Sequence, residues 1–400
     1  MNRLSTPHGS LDLTRYPPDP RDPLRAWDAA DEYLLRYLGG DTPEDVTGPA
    51  GAAYRPRLPA DLHGQRVVIL GDRWGALTAS LAAYAPTQIS DSRLTQQATR
   101  ANLDRNGLTA DPVRLLTTQE PPPDRIDVLL VRVPKSLALL EDQLHRLAPA
   151  LHASSVVIGT GMVKEIHTST LTLFEQLVGP TRTTLATKKA RLILTTPDPA
   201  PARPANPWPH TYTLPTDLGP PLAGRPVVNH AGVFCPDRLD IGTRFLLTHL
   251  PARTGPDRVI DLGCGNGVVG TAAALANPDA SVVFTDESYQ AVASAEATFR
   301  ASAPAGAKAE FVVGDALADA PPASADLILN NPPFHTHQAT TDRTALRMFQ
   351  DAHRALRPGG ELLVVGNRHL GYHVTLKRIF GACTVVASNP KFVILRAVKR

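Results

Sequence analysis

Short apolar runs alternate with amphipathic stretches along most of the chain. In the second half, "DRVIDLG", "ASVVFTD", "AEFVVGD", "ADLILNN" and "GELLVVGN" place Val, Ile and Leu at consecutive positions. Such runs suit strands buried on both faces of a parallel sheet. Between them, "GVVGTAAALAN", "SYQAVASAEATFRAS", "TALRMFQDAHRAL" and "HVTLKRIFG" carry apolar residues at helical spacing. The alternation predicts an α/β fold with a doubly wound, mostly parallel sheet. The last two runs, "CTVVASN" and "KFVILRAV", follow one another without a helix and predict an antiparallel hairpin. Upstream, "TYTLPTDLGPPLAGRPVVNHAGVF" predicts a hairpin around a Gly/Pro turn, and "DIGTRFLLTHL" a helix.

The first half repeats this order in weakened form. "RVVILGDRWGALTASLAAYAPTQISDS" sits where "RVIDLGCGNGVVGTAAALANPDASVVFTDES" sits later, with Leu70 matching Leu262 and Asp91 matching Asp286. "DVLLVRVPKS" parallels "DLILNNPPFH", with Pro134 set opposite Pro332, and "LHRLAPALHASSVVIGT" parallels "AHRALRPGGELLVVGN". The reading is two tandem copies of one fold. The proline-rich "TTPDPAPARPANPWPH", Thr195 to His210, disfavours helix and central strand and predicts a linker. The expected domains are 1–197 and 198–400. Ahead of the first copy, "DPLRAWDAADEYLLRYL" predicts a helix capped by Asp22 with Pro23 in its first turn. Ala26, Trp27, Ala30, Tyr33, Leu34, Tyr37 and Leu38 share one face of it. A second proline-rich segment, Gly40 to Gly64, predicts a surface loop.

Composition narrows the compartment. Hydrophobic residues make up 42% of the chain, enough for real cores, yet no apolar run approaches a membrane span. The first residues contain no apolar stretch of the secretory kind. Cys235, Cys264 and Cys383 are too few and too scattered for a disulfide framework or a zinc site. The expectation is a reduced, cytoplasmic protein with no metal. A net charge of +3 permits a polyanionic partner without demanding one.

Candidate chemistry begins at "VIDLGCGNGVVG", a strand, a glycine-rich turn and a helix start. Gly263, Gly265 and Gly267 let the backbone turn tightly and approach a ligand. Asp261 at the strand end would repel a phosphate and suits a cationic amine, which points to S-adenosylmethionine. Asp286 ends the next strand, where a carboxylate can take both ribose hydroxyls; it also precedes a helix and could cap it. Asp315 ends the third strand, within reach of an adenine amino group. Cys264, Asn266, Glu287 and Ala316 complete the expected cofactor set. The first copy keeps only Gly71 and Gly75 in "LGDRWGAL", with Asp72, Arg73 and Trp74 between them and Ile69 in the place of Asp261. It reads as cofactor-free, with Trp74 a packing residue. "ADLILNNPPFHTH" then delivers Asn331, Pro332, Pro333 and Phe334 to the methyl-transfer rim. The Asn331 side-chain carbonyl and the Pro332 backbone carbonyl can accept hydrogen bonds from an exocyclic amine and aim its lone pair. The prolines stiffen the turn and Phe334 can stack on a flat base. His335 and His337 read as surface residues.

The N-P-P-[FY] motif is shared by adenine, guanine and protein-glutamine amino methyltransferases. Nearly the whole chain resembles the ribosomal RNA guanine 2-amino methyltransferases of the RlmG and RsmC type, through "DPLRAWDAADEYLL", "EIHTSTLTLFEQLVGPT", "NHAGVF", "LDIGTRFLLTHLP", "IDLGCGNGVVG", "NNPPFHTHQA" and "NPKFVILRAVK". The stretches in the first half favour the large-subunit (23S) branch. The resemblance implies two tandem Rossmann-like class I methyltransferase domains, the first degenerate. It implies S-adenosylmethionine held by Gly263, Gly265, Asp286 and Asp315, and guanine held by Asn331 to Phe334. Phe234 and Thr243 would border the cofactor or base. The RNA track would run over Lys135, Lys164, Lys188, Lys189 and Arg191 in the first half, then Arg343, Arg347, Arg368, Lys377 and Arg378. Competing readings are a small-subunit (16S) rRNA enzyme, a protein-glutamine methyltransferase and a non-enzymatic rRNA assembly factor. Two fused copies suit a monomer.

Overall fold

The buried runs assemble into two central sheets of matching strand order, one in each of two units, Met1–Pro207 and Trp208–Arg400. This computed structural model describes all residues except Met1, His8, 20–21, 42–45, 48–60, Ala110, 199–202 and 334–337, with backbone alone at 46–47 and 338–342.

The first unit opens with a small hairpin of β1 (Arg3–Thr6) and β2 (Gly9–Asp12), then α1 (Ala29–Leu38) and a short β3 (Val46–Thr47). The repeat proper runs β4 (Val67–Leu70), α2 (Ala76–Ser80), β5 (Thr87–Ser90), α3 (Arg93–Arg105), β6 (Arg114–Thr117) and β7 (Ile126–Arg132). It closes with α4 (Leu137–Leu147), β8 (Leu151–Met162), α5 (Thr168–Leu177), β9 (Thr181–Thr184) and β10 (Ala190–Thr195). The second unit starts with the hairpin β11 (His210–Thr213) and β12 (Pro226–Asn229), then α6 (Ile241–Leu247). Next come β13 (Arg258–Leu262), α7 (Val268–Ala276), β14 (Ser281–Asp286), α8 (Tyr289–Ser302), β15 (Lys308–Val313) and β16 (Ala325–Asn330). It ends with α9 (Gln338–Ala355), β17 (Leu356–Asn367), α10 (Tyr372–Phe380), β18 (Thr384–Ser388) and β19 (Phe392–Val398).

The second sheet is ordered β15-β14-β13-β16-β17-β19-β18 and the first β6-β5-β4-β7-β8-β10-β9-β3. Each is parallel from its first strand through β17 or β8, and the last strands pair antiparallel. Side chains alternate across each strand, so every sheet carries a core on both faces. In β16, Leu327 and Leu329 join Val259 and Phe284 on one side, while Ile328 joins Ile260 and Phe349 on the other.

Strand register fixes residue equivalence between the units. Leu262 lies opposite Asn330, and Leu70 lies opposite Val131. Arg132 therefore stands where Asn331 stands, and Pro134 matches Pro333. The sequence pairing of Pro134 with Pro332 is off by one residue, because local similarity cannot see the ladder.

Three other expectations shift. Helix α1 starts at Ala29 behind an Asp28–Asp31 capping box, in which each side chain takes a backbone N–H near the other. Asp22 caps no helix; its carboxylate takes the Leu24 N–H and pairs with Arg15. The proline-rich linker belongs partly to the first unit. Arg203 donates to the Leu177 carbonyl and Asn206 to Asp142, so the division falls after Pro207. The insert at 40–64 contributes β3, which pairs with β9, so it is not all loop.

Gly75 and Gly267 hold equivalent left-handed positions, at φ +78° and +75°, where helices α2 and α7 begin. A Cβ on Gly267 would lie 2.6 Å from Ala295 Cα, and one on Gly75 2.6 Å from Thr99 Cα. Gly75→Ala and Gly267→Ala should each destabilise the chain by about 2 kcal/mol or more, combining left-handed strain with overpacking. Denaturant unfolding measures this; a curve unchanged in either variant would show that the helix pair behind that turn is not so closely packed.

Candidate active site

Strand β13 is flanked by β14 on one side and β16 on the other, so the chain reverses its direction of winding there. A crevice opens at the carboxyl ends of strands at such a point. The glycine turn crosses this edge. The N–H groups of Gly263 and Cys264 both donate to the Thr285 carbonyl, at 2.8 and 3.0 Å, strapping the turn to β14. The three glycines serve different ends. Gly267 lets α7 lie against α8. A Cβ on Gly263 would come 3.2 Å from the Met348 methyl, while one on Gly265 would enter open space. The turn thus leaves bare backbone over the crevice, as close approach of a ligand requires.

The acids around the turn are anchored to backbone. Asp261 is buried and accepts from the Gly270 N–H at 2.7 Å; burial pushes its carboxyl up to about 8. Asp286 takes the Gly265 N–H on one oxygen and the Ser288 N–H on the other, both at 3.1 Å, and burial raises it too. Ser288, not Asp286, caps α8, through the Ala291 N–H. Glu287 lies half-buried between them. The Cys264 side chain points into the core, where burial raises its thiol, so only its backbone reaches the turn. Asn266 donates to Asn229 at 3.0 Å, tying the turn to β12. Asp315 is held in a two-pronged ion pair by Arg347 of α9, and the neighbouring Ala316 adopts a left-handed φ of +49°. Sequence reading places Arg347 on an RNA track; its partner is instead this carboxylate, which an adenine amino group would have to share.

At the end of β16, Asn330 donates to the Leu262 carbonyl at 2.7 Å. Asn331 donates its amide N–H to Thr243 Oγ1 at 3.0 Å, and its carbonyl oxygen is buried with no partner among the described residues. Pro332 is buried and Pro333 exposed. Phe334, His335 and His337 lie outside the described residues. Phe234 is exposed on the loop before α6. The bare turn, the acids at successive strand ends and the orphaned carbonyl at the rim fit S-adenosylmethionine with an amine acceptor beside it.

The first unit fills the same positions differently. Arg73 stands at the place of Gly265 and Arg132 at that of Asn331. Arg132 is wholly buried and pairs with Asp28 at 2.6 Å, Glu165 at 3.0 Å and Asp31 at 3.3 Å. Arg73 joins Glu165 at 2.8 Å and Asp28 at 3.4 Å. Burial raises Asp31 to about 7 against the pull of Arg132, while Arg73 and Arg132 outweigh burial at Glu165 and hold it near 2. Trp74 packs on the core beneath the Arg15 guanidinium. Sequence reasoning missed this cluster. The signal was a lone arginine inside the apolar run "DVLLVRVP", since a buried cation demands acids.

Doubly wound sheet, glycine turn and strand-end acids define an S-adenosylmethionine-dependent methyltransferase. Residues 224–396 match the family described as methyltransferase small domain, and residues 1–199 match the RLMG N-terminal domain. Ribosomal RNA large subunit methyltransferase G of Streptomyces griseus is 65% identical over 400 residues, covering 100% of both chains. The protein of the same name from Stutzerimonas stutzeri is 47% identical, again over 100% of both. The chain belongs to the ribosomal RNA large subunit methyltransferase G family. Among solved structures, a T. thermophilus 16S rRNA N2 methyltransferase (RsmC), in complex with AdoMet and guanosine, superposes with a TM-score of 0.74. That match is 22% identical, covers 100% of this chain and 98% of the other, and supports the tandem fold.

Asp261 should set part of the pH dependence of stability. In the unfolded chain it titrates near 3.8, in the fold at about 8. Its contribution is complete below the unfolded value and is lost as pH rises through the folded one. Asp261→Asn keeps an acceptor for Gly270 and cannot ionise. Its melting temperature should match the parent chain at acid pH and exceed it at alkaline pH. Identical alkaline arms would mean that Asp261 ionises freely in the fold.

Proposed function

We propose that the chain methylates the exocyclic 2-amino group of a guanine in ribosomal RNA of the large subunit (23S), using S-adenosylmethionine. The observation that carries this reading is the buried Asn331 carbonyl oxygen, without a partner among the described residues, at the rim of the glycine-turn crevice. The family supplies the class of acceptor. The cofactor, when bound, supplies an electrophilic methyl group on a sulfonium.

Gly263 and Gly265 let the backbone come close to that ligand. Asp286 offers a carboxylate to its hydroxyl groups and Asp261 holds the helix start beneath the turn, with Cys264, Asn266, Gly267 and Glu287 shaping the turn and strand end. Asp315 and Ala316 border the base-binding end. An aromatic amine is a weak nucleophile because its lone pair is delocalised into the ring. Asn331 accepts from that amine and, with the Pro332 carbonyl, aims the lone pair; Pro333 stiffens the turn. This is rate enhancement by orientation and a fixed dipole. A base must leave its stack to reach such a rim, where Phe334 would stack on it.

The first unit serves RNA binding. Lys188 and Lys189 sit at the tip of the β9–β10 hairpin with φ of +49° and +64°, a conformation that favours glycine or asparagine. Lysines held there are strained, and strain in an exposed turn suggests use. Lys135 and Lys164 are exposed, and Arg191 is half-buried. The working form is read as a cytoplasmic monomer. No helix among the described residues is long and apolar enough to cross a membrane.

Transfer of tritiated methyl from S-adenosylmethionine to rRNA tests the activity. Asn331→Ala should lower turnover by about a hundredfold or more, the scale for losing a positioned dipole, with cofactor affinity near normal. Label appearing on ribosomal protein instead would overturn the nucleic-acid reading. Calorimetry should find one cofactor per chain; two would show that Arg73 and Arg132 do not close the first unit. Replacing Lys188 and Lys189 with Glu should raise the Michaelis constant for rRNA and flatten the salt dependence by about one unit of slope per lost contact. A salt slope unchanged by these substitutions would remove the hairpin from the RNA track.

A further inference from the structure

The amide of Asn331 has two orientations that fill the same space, and only one of them presents an acceptor to an amine. The first turn of α6 decides between them. Asp240 caps this helix, and its Oδ2 accepts from the Thr243 backbone N–H at 2.8 Å and from the Thr243 hydroxyl at 3.2 Å. Both bonds run toward the same oxygen, so the single hydroxyl proton of Thr243 is committed to Asp240. Thr243 Oγ1 then faces Asn331 with lone pairs alone, and the Asn331 N–H fills that place at 3.0 Å. The carbonyl oxygen is turned the other way, where it is buried without a partner among the described residues. With the amide flipped, the carbonyl would meet the threonine lone pairs and the N–H₂ would meet the N–H₂ of the guanine.

We infer that Asp240 and Thr243 are positioning residues that make Asn331 an acceptor. The inference rests on the reading of Asn331 given above. The seat of this pair is closely packed. Between its two members lies Gly242, where a Cβ would come 3.2 Å from the Phe392 ring of β19.

The first unit shows the same device with other side chains. Helix α1 is the counterpart of α6, packed on β8 and β10 as α6 packs on β17 and β19. Asp28 caps α1 as Asp240 caps α6, and Asp31 follows three residues later as Thr243 does. Asp28 and Asp31 hold Arg132, the residue at the position of Asn331, at 2.6 and 3.3 Å. In both units, then, the cap and first turn of this helix hold the side chain at the end of the fourth parallel strand. The second unit uses a neutral hydroxyl for it, which leaves Asn331 one carbonyl to spend on a ligand.

The test compares Thr243→Val, Thr243→Ser and Asn331→Ala in the full chain, measuring kcat and KM for rRNA methylation, cofactor Kd by calorimetry and thermal melting. Thr243→Val keeps the branched shape and loses the hydroxyl. Its kcat should fall by about ten- to a hundredfold, the scale of one buried hydrogen bond. Its cofactor Kd and melting temperature should stay near those of the parent, and Thr243→Ser should restore most of kcat. Normal kcat in Thr243→Val beside a dead Asn331→Ala would overturn the positioning role and leave the role of Asn331 standing. Equal loss in Val and Ser variants, together with lowered melting or lost cofactor binding, would also overturn it, because the hydroxyl would then matter only for the fold. Near-normal turnover in Asn331→Ala would overturn the reading beneath.

Discussion

Everything that faces the crevice of the second unit depends on the parallel pairing of β13 with β16, from Val259 opposite Leu327 to Leu262 opposite Asn330. These strands run side by side, yet the chain reaches them by winding first one way and then the other. The connections that leave their ends therefore diverge and open a crevice between them. The Asn330 amide bolts the pair at its tip by donating to Leu262. One step further along each strand come Gly263 and Asn331, so the bare turn and the orphaned carbonyl are neighbours by construction.

The first unit has the same pairing, Leu70 opposite Val131, and the comparison separates packing from ligand binding. Gly71 and Gly75 persist because a Cβ would strike the Arg132 carbonyl at 2.4 Å or the Thr99 backbone at 2.6 Å. Gly265 has no such obstacle, and its counterpart is Arg73. Gly265 also sits at a left-handed φ of +52°, so the turn itself favours glycine there, and the described residues leave the space above it clear. The acids divide the same way. Asp72 accepts from the Thr78 N–H at 2.8 Å, the bond that Asp261 makes to Gly270 at 2.7 Å from a different strand position. Holding the third residue of the helix start by a buried carboxylate is thus part of the fold in both units.

At the matching positions the first unit carries charge. Arg132 is buried among Asp28, Asp31 and Glu165, and removing one partner from such a cluster costs about 3–5 kcal/mol. Anything seated there would first have to break these pairs. The same strand end thus carries an amide in one copy and an ionic lock in the other, with the first turn of the flanking helix holding both.

The amino-acid sequence by itself determined the alternation of strands and helices, the duplication, the glycine turn, and Asn331 at a strand end followed by two prolines. These are local: they rest on periodicity, on φ preferences and on residues close together in the chain. Tertiary structure decided where helix α1 begins, since its cap residue Asp28 is held by Arg73 and Arg132. It decided that the linker stays with the first unit as far as Pro207, because Arg203 and Asn206 bond back to Leu177 and Asp142. It gave Asp315 to Arg347 and Arg132 to Asp28. It also set the Asn331 amide against a threonine of helix α6. Each of these outcomes joins groups far apart in sequence, and hydrogen bonds and ion pairs act through distances of about 3 Å that only the folded chain creates.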